Sequence, residues 1–384
     1  MGEIVTAGAT VHAPQFFTRP PTEDFQQLDA SIAAMRDLGR QMLDDTRPDV
    51  LIVIGSDHLE TFFLSAVPTF ALIAGERIRA AFAGRTYDLP CHPMAEGLLE
   101  HLVNSGFDMV YSQDAELGHA FAAPFEWVMQ KRNIPVVPIF VNSYLPPLPS
   151  ARRCADLGKA LAAYIGTRPE RVAIVASGGM SHYPGTWKYP KPAYEFDHWA
   201  IGQMERGNLD AIVGLTNRQL DEVGNTEILS WAVMFGAIGP RRGELLTYQP
   251  TWHHGHAVMR FLPECAKPAP ADSLPPYQFA DQINEFYGHP APSSYNLNKL
   301  LYDLRHDADL RRRMIADPAA VAAERCLSAR ETAVIDTLLD EDIDLLRNEK
   351  THPIVEAGAH PLGLLMSLVV VQAEMRRMRK EARA

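Results

Sequence analysis

Asp49-Val50-Leu51-Ile52-Val53-Ile54-Gly55-Ser56-Asp57-His58 is an almost unbroken apolar, β-branched run that empties into a short polar turn. Without polar alternation, such a run reads as a parallel strand covered on both faces. Arg171-Val172-Ala173-Ile174-Val175-Ala176 repeats the pattern and empties into Ser177-Gly178-Gly179-Met180-Ser181-His182. A third copy, Glu3-Ile4-Val5-Thr6-Ala7-Gly8, ends at Thr10-Val11-His12-Ala13-Pro14, where the proline stops further sheet pairing. Each predicted strand thus delivers a histidine at its carboxyl end. In open α/β sheets ligands bind beyond that edge, so His12, His58 and His182 are expected to converge on one crevice.

Working outward, apolar strands alternate with helical stretches at Gln27–Met42, Met94–Ser105 and Arg152–Ile165 through residue 265. That alternation predicts an α/β catalytic domain over 1–265 with a mainly parallel central sheet. Residues 266–276, Ala-Lys-Pro-Ala-Pro-Ala-Asp-Ser-Leu-Pro-Pro, read as a proline-stiffened linker. From 277 to 384 the periodicity is helical, through Tyr295–Arg305, Asp309–Ile315, Pro318–Arg325 and Ala329–Leu346, and a small all-α domain is expected. Ser328 is the expected N-cap of the last of these, with Glu331 completing a capping box.

At 384 residues, two domains are a reasonable expectation, and with nearly half of the residues hydrophobic a sizeable core can form. A net charge of -11, without basic stretches interleaved with aromatics, argues against nucleic acid as a partner. The run Arg376-Arg377-Met378-Arg379-Lys380 reads as a charged helix end. No apolar stretch is long enough for a membrane span, and the N-terminus lacks a basic-then-apolar leader, so a soluble cytoplasmic protein is expected. Cys91, Cys154, Cys265 and Cys326 are widely spaced and indicate neither a disulfide framework nor a structural zinc site. No organic cofactor is implied, because neither a dinucleotide-binding glycine turn nor a phosphate loop is present.

Glu227 opens a later helix within Gly224-Asn225-Thr226-Glu227-Ile228-Leu229-Ser230-Trp231. Two neutral imidazoles and one carboxylate on separate elements can hold one face of a divalent iron and leave the other open for substrate and dioxygen. His12, His58 and Glu227 supply such a set. Each residue also has a plainer reading: a strand-end histidine is often a structural hydrogen-bonder, and a first-turn glutamate is favoured by the helix dipole. His182 could serve as a ligand or as a base. His92-Pro93-Met94-Ala95-Glu96 offers a ligand pair at helical spacing but reads better as a helix start.

Taken together, Thr10-Val11-His12-Ala13-Pro14, Ser56-Asp57-His58, Gly118-His119-Ala120, Gly178-Gly179-Met180-Ser181-His182 and Glu227-Ile228-Leu229-Ser230-Trp231 resemble the class III extradiol ring-cleavage dioxygenases. The resemblance is closest to the protocatechuate 4,5-dioxygenase type and continues through Pro138–Asn142 and Arg153–Gly158. Tyr295-Asn296-Leu297-Asn298-Lys299 and Ala316-Asp317-Pro318 resemble that family's small α-subunit. The chain therefore looks like a fusion of catalytic and small subunits, as in gallate dioxygenase-like members. The resemblance implies Fe(II) held by His12, His58 and Glu227, His182 as catalytic base and His119 as a second active-site histidine. It also implies a small aromatic diol and dioxygen as substrates, a helical domain capping the crevice, and a homodimer.

By the same resemblance, Tyr248-Gln249-Pro250-Thr251-Trp252-His253-His254-Gly255-His256 falls where protocatechuate-cleaving relatives are expected to place small polar side chains around the substrate carboxylate, and His253 and His254 would replace them. They are candidate substrate-binding residues, and a gallate, catechol or hydroxypyridone ring stands beside protocatechuate as the expected substrate. Their plainer reading is a surface loop or an alternative metal cluster. Two hydrolase readings stay open. Ser181 follows a strand, but its surroundings lack the final glycine of a nucleophile elbow. A zinc-dependent hydrolase could use the same two histidines and glutamate.

Overall fold

The computed structural model describes residues 2–261, 274–280, 284–340 and 349–381. The strands are β1 (Glu3–Thr10), β2 (Val50–Gly55), β3 (Phe70–Ile73), β4 (Arg77–Phe82), β5 (Arg85–Pro90), β6 (Met109–Ser112), β7 (Glu116–Leu117), β8 (Val136–Val141), β9 (Arg171–Ser177), β10 (Gly243–Thr251) and β11 (His254–Phe261). β2 and β8 are buried at every position, and β9 at every position after Arg171, as uniformly apolar strands covered on both faces must be. The main sheet runs β10-β11-β1-β9-β2-β8-β3-β6. Its centre, β1-β9-β2-β8, is parallel, while β3 and the β10–β11 hairpin run antiparallel to their inner neighbours. A small sheet, β5-β4-β7, stands apart from it. The parallel register brings the carboxyl ends of β1, β9 and β2 to one edge, with Thr10 opposite Ser177 and Ile54 opposite Ala176.

Helices cover the sheet through apolar stripes. In Ala151–Gly166, capped by Ser150 Oγ accepting the Arg153 N–H at 3.1 Å, Cys154, Leu157, Leu161 and Ile165 are buried at near-helical spacing. Each large aliphatic contributes about 1.5–3 kcal/mol by its removal from water. This helix packs on Ile228–Ile238 at very close range. A Cβ on Gly158 would lie 1.9 Å from Val233 O, and one on Gly236 would lie 1.8 Å from Ala155 O. The pair of glycines sets how deeply Ile228–Ile238, and Glu227 at its start, sinks into the protein.

The chain divides into two compact units. The first comprises Met1–Asp57, Pro68–His182 and Pro192–Glu285. The second comprises His58–Val67, Tyr183–Lys191 and Phe286–Ala384. The second unit is helical, with Tyr295–His306, Ala308–Ala316, Pro318–Glu324 and Pro361–Glu381 enclosing Leu297, Leu301, Leu304, Met314 and Val371. Its two inserted segments are held by polar contacts: Arg305 Nη1 donates to His58 O at 2.8 Å, and Tyr287 Oη donates to Pro184 O at 3.2 Å. An α/β region followed by an all-α region is thus the observed class.

Some boundaries differ from the sequence reading. The helix expected over Gln27–Met42 is Phe25–Gly39, started by Asp24 and followed by a wider turn over Arg40–Asp44. The capping box of Ser328 and Glu331 is present, but the helix expected over Ala329–Leu346 stops at Thr332. A 3-10 turn follows over Ile335–Leu339, and residues 341–348 lie outside the described residues. Thr332, Val334, Ile335 and Thr337 are β-branched and crowd a helical backbone, and Thr337 Oγ1 bonds Val334 O locally at 2.6 Å. Of the linker expected over 266–276, residues 266–273 lie outside the described residues, and Pro275 O accepts from Trp199 Nε1 at 2.9 Å.

The glycine crossing yields a stability test. Gly158→Ala forces a methyl against Val233 O, so chemical denaturation is expected to show a loss of about 1–3 kcal/mol, the usual cost of overpacking. An unchanged midpoint would mean that the two helices are free to move apart.

Candidate active site

The site is built from strand ends and one helix start. β1 runs out two residues before His12, which is 1% exposed, and Glu227 is the capping residue of Ile228–Ile238 with no exposure at all. His12 Nδ1 meets Ser177 Oγ, at the end of β9, at 3.0 Å, leaving Nε2 to reach Glu227 Oε1 at 2.9 Å. Ser56 Oγ, just past β2, donates to the same Oε1 at 3.1 Å. His58 follows two residues later. Its ligand nitrogen lies within 4.8 Å of those of His12 and His119, and also within 4.8 Å of the ligand atoms of His182 and Glu227. All of these side chains are buried.

His182 is held from several directions. Its Nδ1 lies 3.0 Å from Met180 O, its Nε2 lies 3.0 Å from Tyr144 Oη, and Glu227 Oε2 is 3.8 Å from Nε2. A carbonyl only accepts, so Nδ1 carries the proton and Nε2 accepts from the tyrosine hydroxyl. Burial pushes the His182 imidazole down to about 4, against the opposing pull of Glu227. The ring stacks on His254 at 3.9 Å and 12°. His119 stands at the start of a short helix, edge-on to His12 at 5.3 Å and tilted against Phe82 at 4.9 Å.

His253 and His254 are not a surface loop. They lie at the tight turn joining β10 to β11 and are 2% and 3% exposed. His253 Nε2 is 3.3 Å from Glu23 Oε2, and Trp252 Nε1 donates to Glu23 Oε1 at 3.1 Å. Although burial opposes it, these bonds hold the Glu23 carboxyl below its usual range. His254 Nε2 is buried without a hydrogen-bond partner among the described residues. His92 is not brought to the site; its Nδ1 accepts the Met94 N–H at 3.1 Å, just before the helix that starts at Met94. Ser181 Oγ donates to Asp197 Oδ2 at 2.9 Å, so the hydroxyl is committed to a carboxylate and not to a histidine base.

Sequence reasoning missed Tyr144, Ser56, Ser177 and Asp197. The signal for the first three was available, since Ser56, Ser177 and Asn142-Ser143-Tyr144 all stand at carboxyl ends of apolar strands. Asp197 carries no such signal, lying inside the helix Tyr194–Glu205.

These residues fit a divalent metal ion. The donor set is imidazole and carboxylate, and the Nδ1 contact of His12 orients its Nε2 toward the cluster. Space is reserved too: a Cβ on Gly179 would fall 2.3 Å from His254 Nε2 and 3.0 Å from Glu227 Oε2. His12 Nε2 and Glu227 Oε1, 2.9 Å apart, are two donor atoms that a cation would share. Gly179→Ala is therefore expected to fold yet bind ferrous iron at least about tenfold more weakly, as supporting positions around metal sites do. Isothermal titration under nitrogen measures this, and wild-type affinity in the variant would show that the cradle is not used.

Residues 7–259 match the family described as the catalytic LigB subunit of aromatic ring-opening dioxygenase. The chain is 33% identical over 147 residues to a 2,3-dihydroxyphenylpropionate/2,3-dihydroxicinnamic acid 1,2-dioxygenase of Klebsiella pneumoniae (strain 342), covering 38% of this chain and 47% of that protein. It is 29% identical over 176 residues to the protein of the same name from Escherichia coli O139:H28 (strain E24377A / ETEC), covering 45% and 55%. The chain spans about half the length of the curated relatives it matches. Among solved structures, an uncharacterized protein JW3007 from Escherichia coli K12 aligns with 67% of this chain and 99% of its own, with 18% identity and a TM-score of 0.49. The stretch matched by the family takes in most of the chain and contains His12, His58, His119, His182 and Glu227, so the protein belongs to the LigB family of catalytic subunits of aromatic ring-opening dioxygenases.

Proposed function

We propose that this protein is a non-haem Fe(II)-dependent extradiol dioxygenase that opens a vicinal dihydroxy aromatic ring, with both atoms of dioxygen entering the product. The observation that carries the reading is the buried cluster of His12, His58, His119, His182 and Glu227 within the family-matched residues. His12, His58 and Glu227 would hold the metal. Bound ferrous iron would supply the Lewis acidity that eases loss of a phenolic proton and a path for electrons between ring and dioxygen.

The remaining work falls to the chain. His182 Nε2, its lone pair aimed away from the Met180 carbonyl, accepts a phenolic proton, with Tyr144 Oη in reach to share it. His119, edge-on to His12, would return a proton as the ring opens. Burial of the cluster keeps water from the reacting centre. His253 and His254 are the proposed substrate-binding residues, His254 Nε2 buried beside Gly179 and His253 held by Glu23.

The named relatives act on dihydroxyphenylpropionate and dihydroxycinnamate, and these join gallate, protocatechuate, catechol and hydroxypyridone as candidate rings. Residues 1–265 would carry the chemistry and 277–384 a capping role after a linker at 266–276. A homodimer and cytoplasmic residence belong to the same proposal; among the described residues no helix is long and apolar enough to cross a membrane. A zinc-dependent hydrolase could use the same donor set, but family membership favours ring opening.

Anaerobic reconstitution with ferrous iron, followed by oxygen uptake and ultraviolet-visible spectra across those diols, tests the reading. Stoichiometric oxygen consumption with a new ring-opened chromophore is expected for one of them. Silence across the panel with iron bound would reject it. His182→Ala is expected to keep its iron while turnover falls about a hundredfold or more, the usual scale of acid–base catalysis. Loss of iron in that variant would make His182 a ligand.

A further inference from the structure

Asp197 is completely buried in the first turn of Tyr194–Glu205, and no step above uses it. Its Oδ1 accepts the Ser181 N–H at 2.9 Å, and its Oδ2 accepts Ser181 Oγ at 2.9 Å and Tyr248 Oη at 2.7 Å. Gly255 makes room for it, since a Cβ there would lie 2.1 Å from Oδ2. The same turn is fastened to the hairpin by Met180 N–H to Gly255 O at 3.1 Å and Gly255 N–H to Ser181 O at 3.0 Å. On the next residue, His182 N–H donates to Gly224 O at 2.9 Å.

Met180 and Ser181 lie in a bend beyond β9, and with Ser181 held at both its N–H and its hydroxyl and the His182 N–H held by Gly224 O, the backbone that carries the His182 ring is fixed. We infer that Asp197 is a positioning residue, a carboxylate clamp on Ser181 that aims His182 into the site; its catalytic part rests on the reading of His182 as the base. All three donors to Asp197 are neutral, and burial pushes its carboxyl up to about 7 against them. A carboxyl so placed costs stability, which a purely space-filling role would not call for. The clamp also accounts for Ser181 between the glycines and His182: its hydroxyl is a handle for the helix and not a nucleophile.

The test compares Asp197→Asn and Tyr248→Phe with the wild type. An amide keeps the Oδ1 acceptor but presents an NH2 to two hydroxyl donors, and phenylalanine removes one donor alone. In histidine-labelled, metal-free protein, the ring nitrogen resonances of His182, assigned by their loss in His182→Gln, are expected to shift and broaden in both variants. After iron loading, kcat per bound iron is expected to fall about tenfold to a hundredfold with KM little changed, the scale of a misplaced reacting group. Unaltered His182 resonances in both variants would overturn the clamp, whatever happens to thermal stability. If Asp197→Asn does not fold, Tyr248→Phe decides. If the wild type opens no diol, the functional reading fails, and the resonances still decide whether Asp197 positions His182.

Discussion

Glu227 is wholly removed from water, and a carboxylate in that position must be met by hydrogen bonds or charge because its desolvation is so costly. His12 Nε2 and Ser56 Oγ meet it from the ends of two different strands. That pairing holds only if β1 and β2 keep their shared neighbour β9 in register, since a slip would turn His12 or Ser56 to the wrong face. It also holds only if Ile228–Ile238 lies deep enough, which Gly158 and Gly236 secure by letting two helix backbones touch. The central sheet, the helix crossing and the polar cluster are therefore one linked constraint.

The imidazoles around that carboxylate form a second constraint. His182 and His254 stack, and His254 stands edge-on to His256 at 4.8 Å. Burial, and then the neighbouring rings, drives His254 and His256 well below the ordinary histidine range. Neutral rings can crowd where charged ones would repel, and neutral nitrogens are what a metal ion or a phenolic proton requires. A backbone acceptor settles the tautomer of His182: the Met180 carbonyl claims Nδ1–H and leaves the Nε2 lone pair facing Tyr144 Oη.

Much of this was legible in the chain. Uniform apolar runs at Val50–Gly55 and Arg171–Ser177 read directly as covered strands, and the histidines beyond them were placed at the sheet edge by the same rule. Helices with clear apolar stripes, such as Ala151–Gly166, were found within a residue. The helix beyond Ser328 was overextended because apolar spacing continued while its β-branched residues opposed the backbone. The hairpin histidines are legible as residues but not as buried ones, because Trp252-His253-His254-Gly255-His256 is polar by composition and its partners Glu23 and His182 are distant in sequence.

The sequence by itself determined which elements form and which reactive side chains stand at their ends, because strand and helix periodicity and turn chemistry act over a few residues. Only the tertiary structure decided how those side chains are used. Tyr144 reaches His182 across 38 positions, Glu227 reaches His12 across 215, and Asp197 reaches Ser181 across 16. Such contacts depend on sheet order and helix depth, which arise from packing of the whole chain, and no local pattern encodes them.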